Sequence, residues 1–272
     1  MAKPLTAVNR AHEGTGGRPA QALKRGVMTV HFIGAGPGAA DLLTVRAARL
    51  IEACPICLYA GALVSPDVLA LSRGRCIDTQ GLDLDRIVDH LAAAHAAGED
   101  VARLQSGDVS FYSAVGEQMD RLDALAIPYT MVPGVPAFAA AAAALRRPLT
   151  RPGVAQSVVL ARWAENATPV GEGEDLASLA RTGATLCIHL ARTAPARIAQ
   201  RLVPVLGADC PAAAVARASM EGEAVREGRL GDLESLVEDL GRPMLILVGR
   251  ALGAGGTRSH LYSATRDRAG PS

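Results

Sequence analysis

Fifteen residues from Val30 to Thr44, VHFIGAGPGAADLLT, run a buried strand, a glycine-rich turn and the start of a helix together, and few folds accommodate that order. Val30, Phe32 and Ile33 are β-branched or aromatic and suit a buried pleated segment. Gly34, Gly36 and Gly38 let the backbone turn sharply or approach a neighbour closely, and Pro37 stiffens the turn. Asp41 is the expected cap of a helix whose apolar face uses Leu42, Val45, Ala48, Leu50 and Ile51. In α/β proteins such a turn lies at the carboxyl end of a sheet strand, where ligands bind.

The remaining chain repeats the alternation. Strands are expected at Ile56 to Ala60, Val101 to Leu104 and Tyr129 to Val132. Helices are expected after Ser65-Pro66-Asp67, after the cap Asp83, around Val115 to Leu125 and from Ala137 to Leu145. This rhythm implies a largely parallel sheet covered on both faces. Beyond a proline-bearing linker from Arg146 to Gly153, strands fit Ser157 to Ala161, Ala184 to Leu190, Ala213 to Arg217, Ala224 to Leu230 and Met244 to Gly249. Helices fit Asp175 to Arg181, Pro195 to Leu206 and Asp232 to Leu240. The expected organisation is a disordered extension over 1–27, an N-terminal α/β domain over 28–147, a C-terminal α/β domain over 148–252 and a flexible tail over 253–272. Met28, directly before the first strand, offers a second translation start.

Composition narrows the partners. With 28 basic against 27 acidic residues the net charge is +1, so no global field draws the chain to nucleic acid or an anionic membrane, and an acidic ligand must meet local arginines. One Trp, four Tyr and three Phe are few for a base-stacking platform. The uncharged run from Ala124 to Leu145 is broken by Pro128, Pro133, Gly134 and Pro136 into pieces too short to span a bilayer. The N-terminus lacks an apolar signal region, and five cysteines, an odd number mostly in apolar runs, fit a reduced cytoplasmic protein. Cys54-Pro-Ile-Cys57 has redox spacing but reads as part of a strand, and no histidine sits at metal-ligand spacing.

Three loops are expected at one sheet edge. Gly34, Gly36 and Gly38 space as G-x-G-x-G rather than G-x-G-x-x-G, and the second strand ends in Tyr59-Ala60, without the ribose-binding acid of a nicotinamide site; a purely structural turn is the alternative. In Arg103-Leu-Gln-Ser-Gly-Asp108, Asp108 can accept hydrogen bonds from a ligand or cap the next helix. In Pro133-Gly-Val-Pro-Ala137, followed by alanines at 139–144, small residues admit a flat ligand or tight helix packing.

Taken together, Gly34-Ala-Gly-Pro-Gly38 with Asp41-Leu-Leu-Thr44, Arg103 to Asp108, Val132-Pro-Gly-Val135, Pro148-Leu-Thr150 and Pro243-Met-Leu-Ile-Leu-Val-Gly249 resemble, in order, the tetrapyrrole (corrin/porphyrin) methyltransferases that use S-adenosylmethionine. Within that family the branch methylating C11 of precorrin-4 is the most similar, on Leu58-Tyr-Ala-Gly-Ala-Leu-Val-Ser65, Glu117-Gln-Met119, and Gln156 to Arg162 followed by Thr168-Pro-Val170. Two departures stand out: Val109 replaces the proline of Gly-Asp-Pro, and Pro136 replaces the hydroxyl residue after Pro-Gly-Val.

The resemblance implies two α/β domains with cofactor and substrate in the cleft between them. It places Pro37, Ser106, Gly107, Asp108, Phe111, Pro136 and Ala137 of the first domain, and Leu190 and Ala218 of the second, at S-adenosyl-L-methionine. It further implies a tetrapyrrole substrate, a homodimer, no nucleic acid or membrane partner, and no catalytic triad or metal. Arg46, Arg147, Arg151 and Arg162, with Arg146 and Arg192, are candidates for the substrate's carboxylates. A cobalt-precorrin-4 substrate, an RNA or protein methylase of the same fold, and a non-catalytic tetrapyrrole carrier are the alternatives.

Overall fold

The computed structural model describes residues 28–163, 171, 173–257 and 259. The expected extension over 1–27, nearly all of the tail beyond Thr257, and Thr168 to Val170 lie outside the described residues.

The first half alternates β1 (Val30–Gly34), α1 (Val45–Ala53), β2 (Ile56–Tyr59), α2 (Pro66–Leu69), β3 (Arg75–Asp78), α3 (Leu84–Ala97), β4 (Val101–Gln105), α4 (Val115–Ala124), β5 (Tyr129–Val132) and α5 (Ala137–Ala144). The five strands form one sheet in the order β3-β2-β4-β1-β5, every pair parallel. Period-two alternation sends Val30 and Phe32 of β1 to one face, with Leu91 of α3 and Leu122 of α4. Ile33 goes to the other face, with Ala47 and Ile51 of α1 and Val68 of α2. Both faces are therefore dry, as a parallel sheet requires.

Two local expectations are corrected. Thr44, not Asp41, caps α1: its hydroxyl accepts from Ala47 N at 3.1 Å, and Asp41 falls in a separate short 3-10 turn over Ala40–Leu42. The helix thus starts later and buries Ala47 and Ile51, leaving Val45 67% exposed. Strand β3, Arg-Cys-Ile-Asp, has no counterpart in the sequence reading, because as an edge strand exposed along most of its length it lacks the apolar pattern of its neighbours.

The second half contains β6 (Val158–Arg162), α6 (Leu176–Ala180), β7 (Thr185–His189), α7 (Pro195–Leu206), β8 (Pro211–Ala216), β9 (Ala224–Arg229), α8 (Leu233–Val237) and β10 (Met244–Val248). Its sheet runs β6-β7-β10-β8-β9, with β6 and β7 parallel and the remaining pairs antiparallel. Leu176 of α6, Ile198 and Leu202 of α7 and Leu233 of α8 cover one face. The other face, with Val215 and Leu247, is covered by Ala141, Phe138 and Leu145 in and beside α5. The alanine helix of the first half is therefore packed on the second sheet, and its small side chains permit that close approach.

Candidate active site

The turn after β1 and the loop after β4 are joined backbone to backbone, and the loop after β5 packs against both at Gly134. Gly36 N donates to Gly107 O at 3.1 Å and Gly107 N to Gly36 O at 2.7 Å. An added Cβ on Gly34 would lie 2.5 Å from Gly134 N, and one on Gly134 would lie 2.2 Å from Gly107 O. Only a residue without Cβ fits either position. Asp108 closes the arrangement: one carboxylate oxygen accepts from Ser110 N at 2.8 Å and the other from Gly134 N at 2.7 Å. It does not cap α4, whose N-cap is Ala114 without a side-chain bond. Burial alone would push the Asp108 carboxyl up, but the bonds from Ser110 and Gly134 outweigh it and hold the group below its ordinary value.

Arg103, from the same motif, takes no part in this arrangement. It is 3% exposed and donates through Nε to Gln118 Oε1 (3.1 Å) and through Nη1 to Thr79 Oγ1 (3.0 Å), tying β4 to α4 and to the residue after β3. Burial pushes its pKa down to about 10.

The carboxyl edge of the first sheet faces an edge of the second. Because β10 runs antiparallel to β7 and β8, its starting residues lie beside the ends of those two strands. Between the two edges is a cavity of about 540 Å³, in the usual range for small-molecule sites. The structure brings together along it all of Pro37, Ser106, Gly107, Asp108, Phe111, Pro136, Ala137, Leu190 and Ala218. The walls are mostly apolar, and Phe111 meets Phe138 edge-on with centroids 6.0 Å apart.

The four arginines assigned to substrate acids do not line this cavity. Arg147 is occupied by Glu227 (Nε to Oε2, 2.7 Å), Arg151 donates to Gly255 O at 2.6 Å, and Arg46 is exposed on α1. Arg162 ends β6 and acts electrostatically on Tyr112. Arg192 does line the cavity, as do Tyr112, His189 and Arg242, which the sequence reading did not single out. Arg242 lies two residues before β10, in a segment with no local feature that marks it as part of a site.

Tyr112 reaches across the cleft and lies on His189, ring centroids 5.1 Å apart. His189 Nε2 is sealed there without a hydrogen-bond partner, and burial pushes its pKa down to about 4. The folded chain therefore refuses a proton that the unfolded chain accepts below about 6.5, so stability should fall as pH drops through that value and level off below about 4. Urea denaturation at pH 7.5 and 4.5 should assign about 2 kcal/mol of the wild-type loss to this residue, and His189→Phe should lack that part. Equal losses in both proteins would contradict it.

The C-x-x-C pair is inert: Cys54 and Cys57 are buried, and burial pushes both thiols up to about 12. Among the described residues no three His, Cys, Asp or Glu side chains are grouped to hold a metal, and no helix is long and apolar enough to cross a membrane.

The profile of the tetrapyrrole (corrin/porphyrin) methylases matches residues 29–234, most of the chain, from β1 through β9. The chain belongs to this family. A relative in Rhodococcus erythropolis, named precorrin-4 C(11)-methyltransferase, is 54% identical over 246 residues, covering 89% of this chain and 99% of its own length. Among solved structures, the X-ray structure of a cobalt precorrin-4 methyltransferase superposes with a TM-score of 0.80 at 33% identity, covering 84% of this chain and 97% of that one. A Thermus thermophilus uroporphyrin-III C-methyltransferase complexed with S-adenosylhomocysteine superposes with a TM-score of 0.71 at 29% identity, covering 82% of this chain and 98% of that one. The two-domain tetrapyrrole methylase architecture expected from the motifs is thus the architecture found.

Proposed function

We propose that the protein is an S-adenosylmethionine-dependent methyltransferase that methylates C11 of precorrin-4, giving precorrin-5 in the building of the corrin (cobalamin) ring. The observation that carries this reading is the single cleft onto which three loops of one sheet and three strand ends of the other converge, in a chain of this family. The metal-free substrate is favoured over the cobalt form because identity is 54% to the precorrin-4 relative and 33% to the cobalt enzyme. A cytoplasmic homodimer belongs to the same reading.

The cleft fits the cofactor on its own terms. Pro37, Phe111, Pro136, Ala137 and Leu190 supply apolar surface for a flat heterocycle, and Ser106 supplies a hydroxyl beside backbone held open by Gly107, whose φ is +69°. When bound, S-adenosylmethionine supplies a methyl group already activated on a sulfonium. The work left to the protein is to orient the acceptor carbon in line, at near-attack distance, and to exclude water. The staple from Asp108 to Ser110 and Gly134 fixes two of the loops that would do so, and Tyr112 packed on His189 narrows the gap between the domains.

Calorimetry on the purified protein should detect S-adenosylmethionine or S-adenosylhomocysteine and no response to NAD or NADP, since β2 ends at Tyr59 without an acid of its own to take a ribose, and Asp78 of the neighbouring β3 already accepts from the backbone of Gly61 and Gln80. Tight NADP binding without a response to S-adenosylmethionine would overturn the assignment.

A further inference from the structure

The second sheet presents two guanidinium groups to the cavity, and the protein's own acids use neither. Arg192 lies just beyond the end of β7 and Arg242 just before the start of β10, which are adjacent antiparallel strands, so both leave the same edge of the sheet and line the same cavity. Both are exposed at the lining of the cleft, and among the described residues neither has a hydrogen-bond or ion-pair partner. Neighbouring arginines differ: Arg147 is held by Glu227 and Arg217 by the carbonyl of Glu221. The cavity's own acid, Asp108, is fully engaged by backbone N–H groups. The cleft therefore carries two guanidinium charges against one carboxylate, and that carboxylate is bonded to backbone rather than to either of them.

We infer that Arg192 and Arg242 form a carboxylate clamp at the rim of the cleft that takes acid side chains of the tetrapyrrole, which rests on the methyltransferase reading above. Two planar forks flanking the ends of neighbouring strands suit two carboxylates carried by one rigid ring, each bidentately. The cofactor also carries a carboxylate. The loops after β1, β4 and β5 form the opposite wall, however, and an exposed arginine at the rim suits a ligand larger than the cavity.

The test uses the full-length chain and Arg192→Gln, Arg242→Gln and the double variant. Uroporphyrin, a porphyrin bearing eight carboxylates, is the probe, with its esterified form as the uncharged control, followed by fluorescence quenching. Each single variant should weaken binding of the acid about tenfold and the double variant further. Affinity for S-adenosylhomocysteine by calorimetry and the melting temperature should stay unchanged, and Arg→Lys versions should keep part of the affinity. Undiminished porphyrin binding in the double variant would overturn the clamp, and so would a selective loss of S-adenosylhomocysteine affinity, which would assign the pair to the cofactor. Failure of the methyltransferase reading looks different: the wild type would bind the carboxylated porphyrin through these arginines yet transfer no methyl group to precorrin-4.

Discussion

Gly134→Ala is expected to cost about 3 kcal/mol or more of stability, at or above the upper end of what overpacking a well-packed interior costs. The new methyl group would lie 2.2 Å from Gly107 O and 2.8 Å from two backbone atoms of Gly34. All three obstacles are backbone, so no side chain can rotate away, and the loops after β1, β4 and β5 would have to separate together. Gly34→Ala, 2.5 Å from Gly134 N, should behave alike. Gly116→Ala is the control: it sits in α4 with nothing within 4 Å of the added group, and should be neutral or stabilising by roughly 0.5 kcal/mol. Urea denaturation compares the three, and a Gly134→Ala protein as stable as Gly116→Ala would contradict the packing described.

The second large effect is expected at Asp108. Its carboxylate receives two backbone N–H groups while 8% exposed, so Asp108→Ala leaves the N–H of Gly134 and that of Ser110 without their partner. The expected cost is about 2 to 4 kcal/mol, from two charge-assisted bonds partly replaced by water. Cofactor affinity should fall at least tenfold, because the loops after β4 and β5 both line the cleft and lose their mutual restraint. From sequence, a ligand-only role for Asp108 predicts little change in stability, and a helix-cap role predicts about 1 kcal/mol with affinity intact. The structure supports neither of these simple outcomes. Melting curves and S-adenosylhomocysteine calorimetry on the one variant separate all three, and an unchanged melting temperature would sink the staple.

How far the sequence could be read follows from where each signal is stored. The parallel sheet was legible because β1, β2 and β4 are buried runs closed by turn residues, and because Ser65, Asp83 and Asp175 cap their helices as their types suggest. Strand β3 was not legible: its four residues are mostly exposed and gain their place by pairing with β2, a non-local cause. At Asp41-Leu-Leu-Thr44 two capping residue types compete within one turn, and local pattern cannot choose between them. Ser106 to Asp108 follow a strand of the parallel sheet, so order along the chain puts them at its carboxyl edge, whereas Leu190 and Ala218 were indicated only by the family resemblance. Arg242 was indicated by neither, since it reaches the cleft only because β10 runs against its neighbours, a fact of sheet topology that no spacing in the sequence records. The reverse holds for Arg147 and Arg151, whose loop positions looked available until Glu227 and the carbonyl of Gly255 were seen to occupy them.

The central claim is transfer of one methyl group to one carbon, and the most direct measurement follows that carbon. The purified chain is incubated with S-adenosylmethionine labelled in its methyl group and, separately, with precorrin-4, cobalt-precorrin-4 and an RNA or protein extract, and the products are analysed by mass spectrometry and carbon NMR. The account predicts a single labelled methyl group at C11 of precorrin-4, with slower or no transfer to the cobalt form. Label at another ring position, label only in macromolecules, or tetrapyrrole binding without any transfer would contradict it.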